Sequence, residues 1–157
     1  MIRVACLALL IAAAAIPAAW AAPIARPPAG TVSIEGAKGV VVIRGVGTVI
    51  GRVSRGDVQV TDLTPADAWV PKLNGAASSK LLQQRGRDLN FFVPGGRYRI
   101  VIKGEGVSLS ARGVGVVTVK GARATDNSGA TVAVGDAAPA PLPADGTRIT
   151  FGGYTGA

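Results

Sequence analysis

The chain has 157 residues, seventeen Lys and Arg against nine Asp and Glu, no His and a single Cys. Without His, and with Cys6 alone inside an apolar leader, Ser–His and Cys–His nucleophile pairs and ordinary zinc sites are excluded. A formal net charge of +8 either draws the protein to anionic polymers or keeps it soluble.

Residues 1–21 read as a secretory signal peptide. Arg3 supplies a positive start, 4–16 is an unbroken apolar run, Pro17 ends it, and Ala19-Trp20-Ala21 gives the small-x-small pattern before a cleavage site. The run is short for the roughly 20 residues that span a bilayer, so the protein is not expected to be integral to the membrane. Cys6 lacks the small residues that precede a lipid-anchored Cys. Cleavage after Ala21 predicts an extracytoplasmic protein, in the periplasm, the cell wall or the extracellular space. The Ala-rich, Arg-over-Lys composition suggests a bacterial source. Residues 22–30, rich in Pro and Ala, read as an extended linker.

From residue 31 to 157 the texture is that of one all-β domain, with no disulfide available to staple it. Short Val, Ile and Thr runs alternate with Gly pairs. Strands are predicted at 31–35, 39–44, 48–54, 57–62, 89–93, 97–103, 107–111 and 115–121, with weaker ones at 130–134 and 148–151. Gly45-Val46-Gly47, Gly104-Glu105-Gly106 and Pro94-Gly95-Gly96 are predicted as turns. Thr64-Pro65-Ala66-Asp67 suggests one short helical turn capped by Thr64. Residues 61–88 read as a long irregular connection with a possible strand at 80–84. Residues 135–146, with alternating Pro, read as a stiff surface strap.

Residues 41–61 resemble 100–120 at an offset of 59 without a gap. Val42, Ile43, Gly45, Gly47, Gly56, Val58 and Val60 recur as Val101, Ile102, Gly104, Gly106, Gly115, Val117 and Val119. This predicts a three-strand meander used twice. Two meanders packed face to face make an antiparallel β-sandwich or flattened barrel of about 8–10 short strands.

Strand alternation assigns candidate sites. In 97–103, Tyr98, Ile100 and Ile102 point one way and Arg97, Arg99 and Lys103 the other. Arg44 and Arg52 extend this basic face from the first copy, and Arg85 and Arg87 add to it. Such a face can clamp phosphate or sulfate groups. It carries no interleaved aromatics, so sequence-specific nucleic-acid binding is not expected. Trp69 is either a plug for the open end of the fold or a contact for a ligand or partner. Asp57, Asp62 and Asp67 are the densest acids. They lack calcium-loop spacing, and a carboxylate-only hydrolase would want more aromatic residues around its cleft. No metal or other cofactor is expected. The reading that results is a non-catalytic, envelope-associated or extracellular module that contacts anionic polymers through Arg97, Arg99, Lys103, Arg44 and Arg52. The alternative is a structural or protein-interaction domain that assembles by sheet edges or the Trp69 loop.

Overall fold

The computed structural model describes residues 29–121, 127–143 and 146–153. The expected signal peptide and all but the end of the linker lie outside the described residues. The fold is all-β and antiparallel. Its eight strands are β1 (Gly30–Asp62), β2 (Lys72–Leu73), β3 (Ala76–Ala77), β4 (Leu81–Val93), β5 (Arg97–Lys120), β6 (Thr131–Val134), β7 (Ala140–Pro141) and β8 (Thr147–Phe151). The main path is β3-β2-β4-β1-β5-β8, with β6 on β1 and β7 on β6. The ends of this path do not pair, so the sheet is open rather than a closed barrel.

Two strands make most of the molecule, because the predicted turns do not interrupt them. Gly45-Val46-Gly47 lies within β1, and Gly104-Glu105-Gly106 lies within β5. These glycines permit bends rather than hairpins. The four strands expected over 31–62 are therefore one strand of 33 residues, and the three over 97–121 are one of 24.

The register shows what the bends achieve. Residues 30–46 of β1 pair with 113–97 of β5, and residues 47–62 pair with 113–98 of the same strand. Residues 40–46 pair on their other side with 120–114. Each long strand thus doubles back past the other. The expected meanders do not exist as separate units; the two similar stretches are each other's partners. Val42 faces Val101, its own counterpart at the offset of 59. The pair Gly45–Gly115 becomes the pair Gly104–Gly56 under the same exchange, and both pairs are present.

Glycines meet where the strands bend. Gly39, Gly104, Gly56 and Gly86 form a row across four adjacent stretches, and Gly30, Gly113 and Gly47 form a second row. The Gly47 amide donates to the Gly96 carbonyl at 3.1 Å. A Cβ on Gly56 would lie under 3.0 Å from the Lys103 carbonyl oxygen, and one on Gly104 under 3.0 Å from that of Arg55. Only hydrogen fits between these backbones.

The first row also changes which residues face inward. In β1 the buried side chains run Val32, Ile34, then Ala37, Val41, Ile43, Val49 and Val53, then Val58 and Val60. The alternation shifts by one residue near Gly36–Gly39 and again near Ser54–Gly56. β5 shifts between Ile102 and Val107, where Gly106 has φ 63°, and β4 shifts before Leu89, where Asp88 has φ 51°. At Ser54–Gly56 the register with both neighbours is unbroken, so adjacent strands shift together and the apolar side returns to the core after the chain has turned. Without those shifts the distal half of each strand would present its valines to water. The result is one continuous core under a doubled-over sheet, which is compatible with the expected sandwich and is built from shared strands.

Three local expectations change. No helix forms at 64–67; the Asp67 amide bonds the Thr64 carbonyl at 2.9 Å as an isolated turn. The long connection contains a β2–β3 hairpin, with Asn74 at φ 45° and Gly75 at φ 83°, as a tight two-residue hairpin turn requires. The Pro-rich strap is tied down by β7 and by Leu142, which is buried and donates its amide to the Ala130 carbonyl.

Among the described residues Tyr98 is the largest fully buried side chain, and its hydroxyl finds no hydrogen-bond partner there. Burial pushes that hydroxyl well above its usual value of 10.0. Two expectations can be measured by chemical denaturation. Gly56→Ala and Gly104→Ala should each destabilise by about 1–3 kcal/mol or more, because backbone must move to admit the methyl. Tyr98→Phe should keep the fold and gain roughly 1 kcal/mol, because it removes an unpaired buried hydroxyl. The native protein should also lose stability as pH rises past 10, since only the unfolded tyrosine ionises there. That alkaline loss should be shallower in Tyr98→Phe.

Candidate functional site

The outward side chains of the 40–46 stretch, its two β5 partners and the strands beyond them define one broad face. Cross-strand partners point the same way, so the register gives its rows directly. One row runs Thr150, Val116, Arg44, Arg99, Thr61, Leu81. A second runs Arg148, Thr118, Val42, Val101, Gln59, Gln83. A third runs Lys120, Val40, Lys103, Asp57, Arg85, and a fourth places Val46 and Leu63 on either side of Arg97. All seven cations in these rows are exposed. Their one carboxylate is that of Asp57, between Lys103 and Arg85.

The structure brings Arg97, Arg99, Lys103 and Arg44 together as the alternation suggests. Arg44 and Arg99 are direct cross-strand neighbours. Like charges placed so are unfavourable unless water or an anion screens them. Arg52 is separated from the group. It lies beyond the Gly47 bend, between Asn90 and Ser108, because the bend sends the two halves of β1 to different parts of the sheet. Lys120 and Arg148 belong to the face although single-strand alternation gave no sign of them. They reach it through pairing alone.

At one edge the face runs into an open cleft of about 940 Å³. Its floor is Gly56, Gly86 and Gly104, and its charged lining is Arg55, Arg85, Arg87, Lys103, Asp57 and Glu105. Arg55 and Glu105 form an ion pair of 3.8 Å, both well exposed and therefore worth little to stability. Arg87 stands opposite Arg55.

Trp69 sits beyond the row of Arg97. It is 52% exposed, so it is a surface residue and not a buried plug. A Cβ on Gly95 would meet the indole at 3.0 Å, which shows the ring lying over that glycine. The Trp69 amide donates to Asp67 at 2.8 Å, the Thr64 hydroxyl donates to Asp67 at 2.7 Å, and the Arg97 amide donates to the Thr64 hydroxyl oxygen at 3.0 Å. This chain fixes the indole beside the start of β5. Of the other aromatics, Phe91 and Tyr98 are core, while Phe92 is partly exposed next to Ile50.

The three acids do separate jobs. Asp57 lies within 3.4 Å of the Gln83 amide, among the cations. Asp62 is buried and accepts from the Thr64 amide at 2.8 Å. Asp67 organises the Trp69 loop. Among the described residues no three His, Cys, Asp or Glu side chains gather to hold a metal ion.

Comparison of the chain with protein-family models, with curated proteins and with solved structures returned no match.

Asp67→Ala should release both the indole and Thr64. With Trp20→Phe as background, the steady-state fluorescence anisotropy of Trp69 should fall, and stability should drop by about 1–2 kcal/mol.

Proposed function

We propose that this is a non-catalytic binding module, acting outside the cytoplasm, that holds an anionic polymer against the outer face centred on Arg44, Arg97, Arg99 and Lys103. The observation that carries the reading is the register. It sets seven exposed cations in four adjacent rows with one carboxylate among them. Single surface charges at random would mix signs, as favours solubility. A one-sided field of this size concentrates polyanions before contact. Planar guanidinium groups then match phosphate, sulfate or carboxylate oxygens in pairs.

The face suits a repeating backbone better than one small ligand. It is broad, with the half-buried Val42 and Val101 between the cations rather than an enclosed pocket. The cleft over Gly56, Gly86 and Gly104 continues it through the shared Lys103 and Arg85. There a polymer charge can approach bare backbone.

Co-sedimentation with an insoluble anionic polysaccharide, or with isolated bacterial envelope, tests the proposal across a salt series. Binding should fall steeply as salt rises. Replacing Arg97, Arg99 and Lys103 together by Ser should weaken it by more than about ten-fold, since a single lost charge-assisted contact already costs about 1.5 kcal/mol. Arg52→Ser should have little effect, since Arg52 lies off the face. Binding that ignores both salt and the triple substitution overturns the reading.

A further inference from the structure

The end of the basic face around Arg97 differs from the rest. Leu63 (51% exposed), Val46 (48%), Leu81 (48%) and Trp69 (52%) all stand out into solvent there. Val46 and Leu63 flank Arg97 in one row, and Leu81 closes the row of Arg44 and Arg99. Trp69 is pinned over Gly95, two residues before Arg97. The neighbouring acids are out of the way: Asp62 points inward and Asp67 is bonded within its loop.

We infer that this end docks on an anionic lipid bilayer, with Arg44, Arg97 and Arg99 at the headgroups and Val46, Leu63, Leu81 and Trp69 entering between them. The inference rests on the basic-face reading and assigns this one end of the face to a lipid surface. The mixture of residue types decides for lipid. Protein interfaces also concentrate Arg and Trp, but these side chains border a face of seven exposed cations with one carboxylate among them, and charge of one sign over so wide an area matches anionic headgroups. A polysaccharide gives no site for projecting leucines. A bilayer interface accepts all three kinds at once: aliphatic side chains below the headgroups, Trp among them and Arg at the phosphates. The fixed loop at Thr64–Trp69 presents the indole without an ordering cost at the moment of contact.

The experiment uses the full chain with Trp20→Phe, so that Trp69 alone reports. Vesicles of phosphatidylcholine, with and without phosphatidylglycerol, are compared, each with and without brominated acyl chains. Phosphatidylcholine alone measures whatever the apolar segment near the N-terminus contributes, which is the same in every variant. The expected result is stronger partitioning onto vesicles containing phosphatidylglycerol, with Trp69 emission shifted to the blue and quenched by the brominated chains. Leu63→Ser with Leu81→Ser should lower that partitioning on the order of ten-fold. Arg44→Ser with Arg99→Ser should lower it roughly twenty-fold or more, at about one kcal/mol for each cation near an anionic surface. Dextran sulfate in solution separates the two readings. If it binds while Trp69 is never quenched, or while the leucine variant partitions like the parent, the lipid inference is overturned and the basic face stands. If neither dextran sulfate nor phosphatidylglycerol is bound, both fail.

Discussion

Backbone lying on backbone without an intervening side chain is the contact on which this molecule depends. At Gly56–Gly104 and Gly47–Gly113 the strands approach too closely for a Cβ. The approach lets β1 and β5 turn sharply while their ladder of hydrogen bonds continues. A sheet that cannot bend needs two separate sets of strands to cover its apolar face. This sheet bends and covers itself, so 33-residue and 24-residue strands serve where shorter ones joined by loops are usual. The shifts of alternation at the first glycine row complete the device. They allow a chain to turn a corner and still send valine inward.

The same geometry makes the outer surface. When residues 97–103 and 114–120 come to lie on either side of 40–46, cations from distant parts of the chain become neighbours. Arg44 stands beside Arg99, and β8 brings Arg148 to the same side. Strand pairing itself sets these cations side by side, so the face is a product of the register rather than of a dedicated loop. Core and face are therefore two sides of one register: a slip by one residue would expose the valines and bury the arginines.

Fold class was legible in the sequence because Val, Ile and Thr alternation is strong and Gly pairs punctuate it. Strand identity was not. Gly45-Val46-Gly47 has the composition of a hairpin turn, and local pattern cannot distinguish a turn from a bend inside a continuing ladder. The difference is made by Gly113 and Gly115, which lie far away in the chain. The two-residue hairpin between β2 and β3 had a clear signal in Asn74-Gly75, and the irregular residues around it hid it. Within the face, alternation alone grouped Arg97, Arg99 and Lys103, since they share a strand. It ranked Arg52 with Arg44 on equal grounds, although a bend parts them. Lys120, Arg148 and the exposed Leu63 and Leu81 needed the register to be seen.

The doubled winding of β1 and β5 also governs how the chain reaches its structure. Residue 30 meets residue 113, residue 40 meets residue 120, and the core draws on both strands along their whole length. Apart from the small Asn74-Gly75 hairpin, little of the pairing is local. Chains dominated by distant partners fold slowly, because the entropy of closing large loops is lost before contacts return it. The first half closes only in part: β4 covers residues 49–61 of β1, while residues 30–46, among the described residues, pair only with β5 and β6. The longest ladder, β1 with β5, therefore comes together only after residue 97 has been reached.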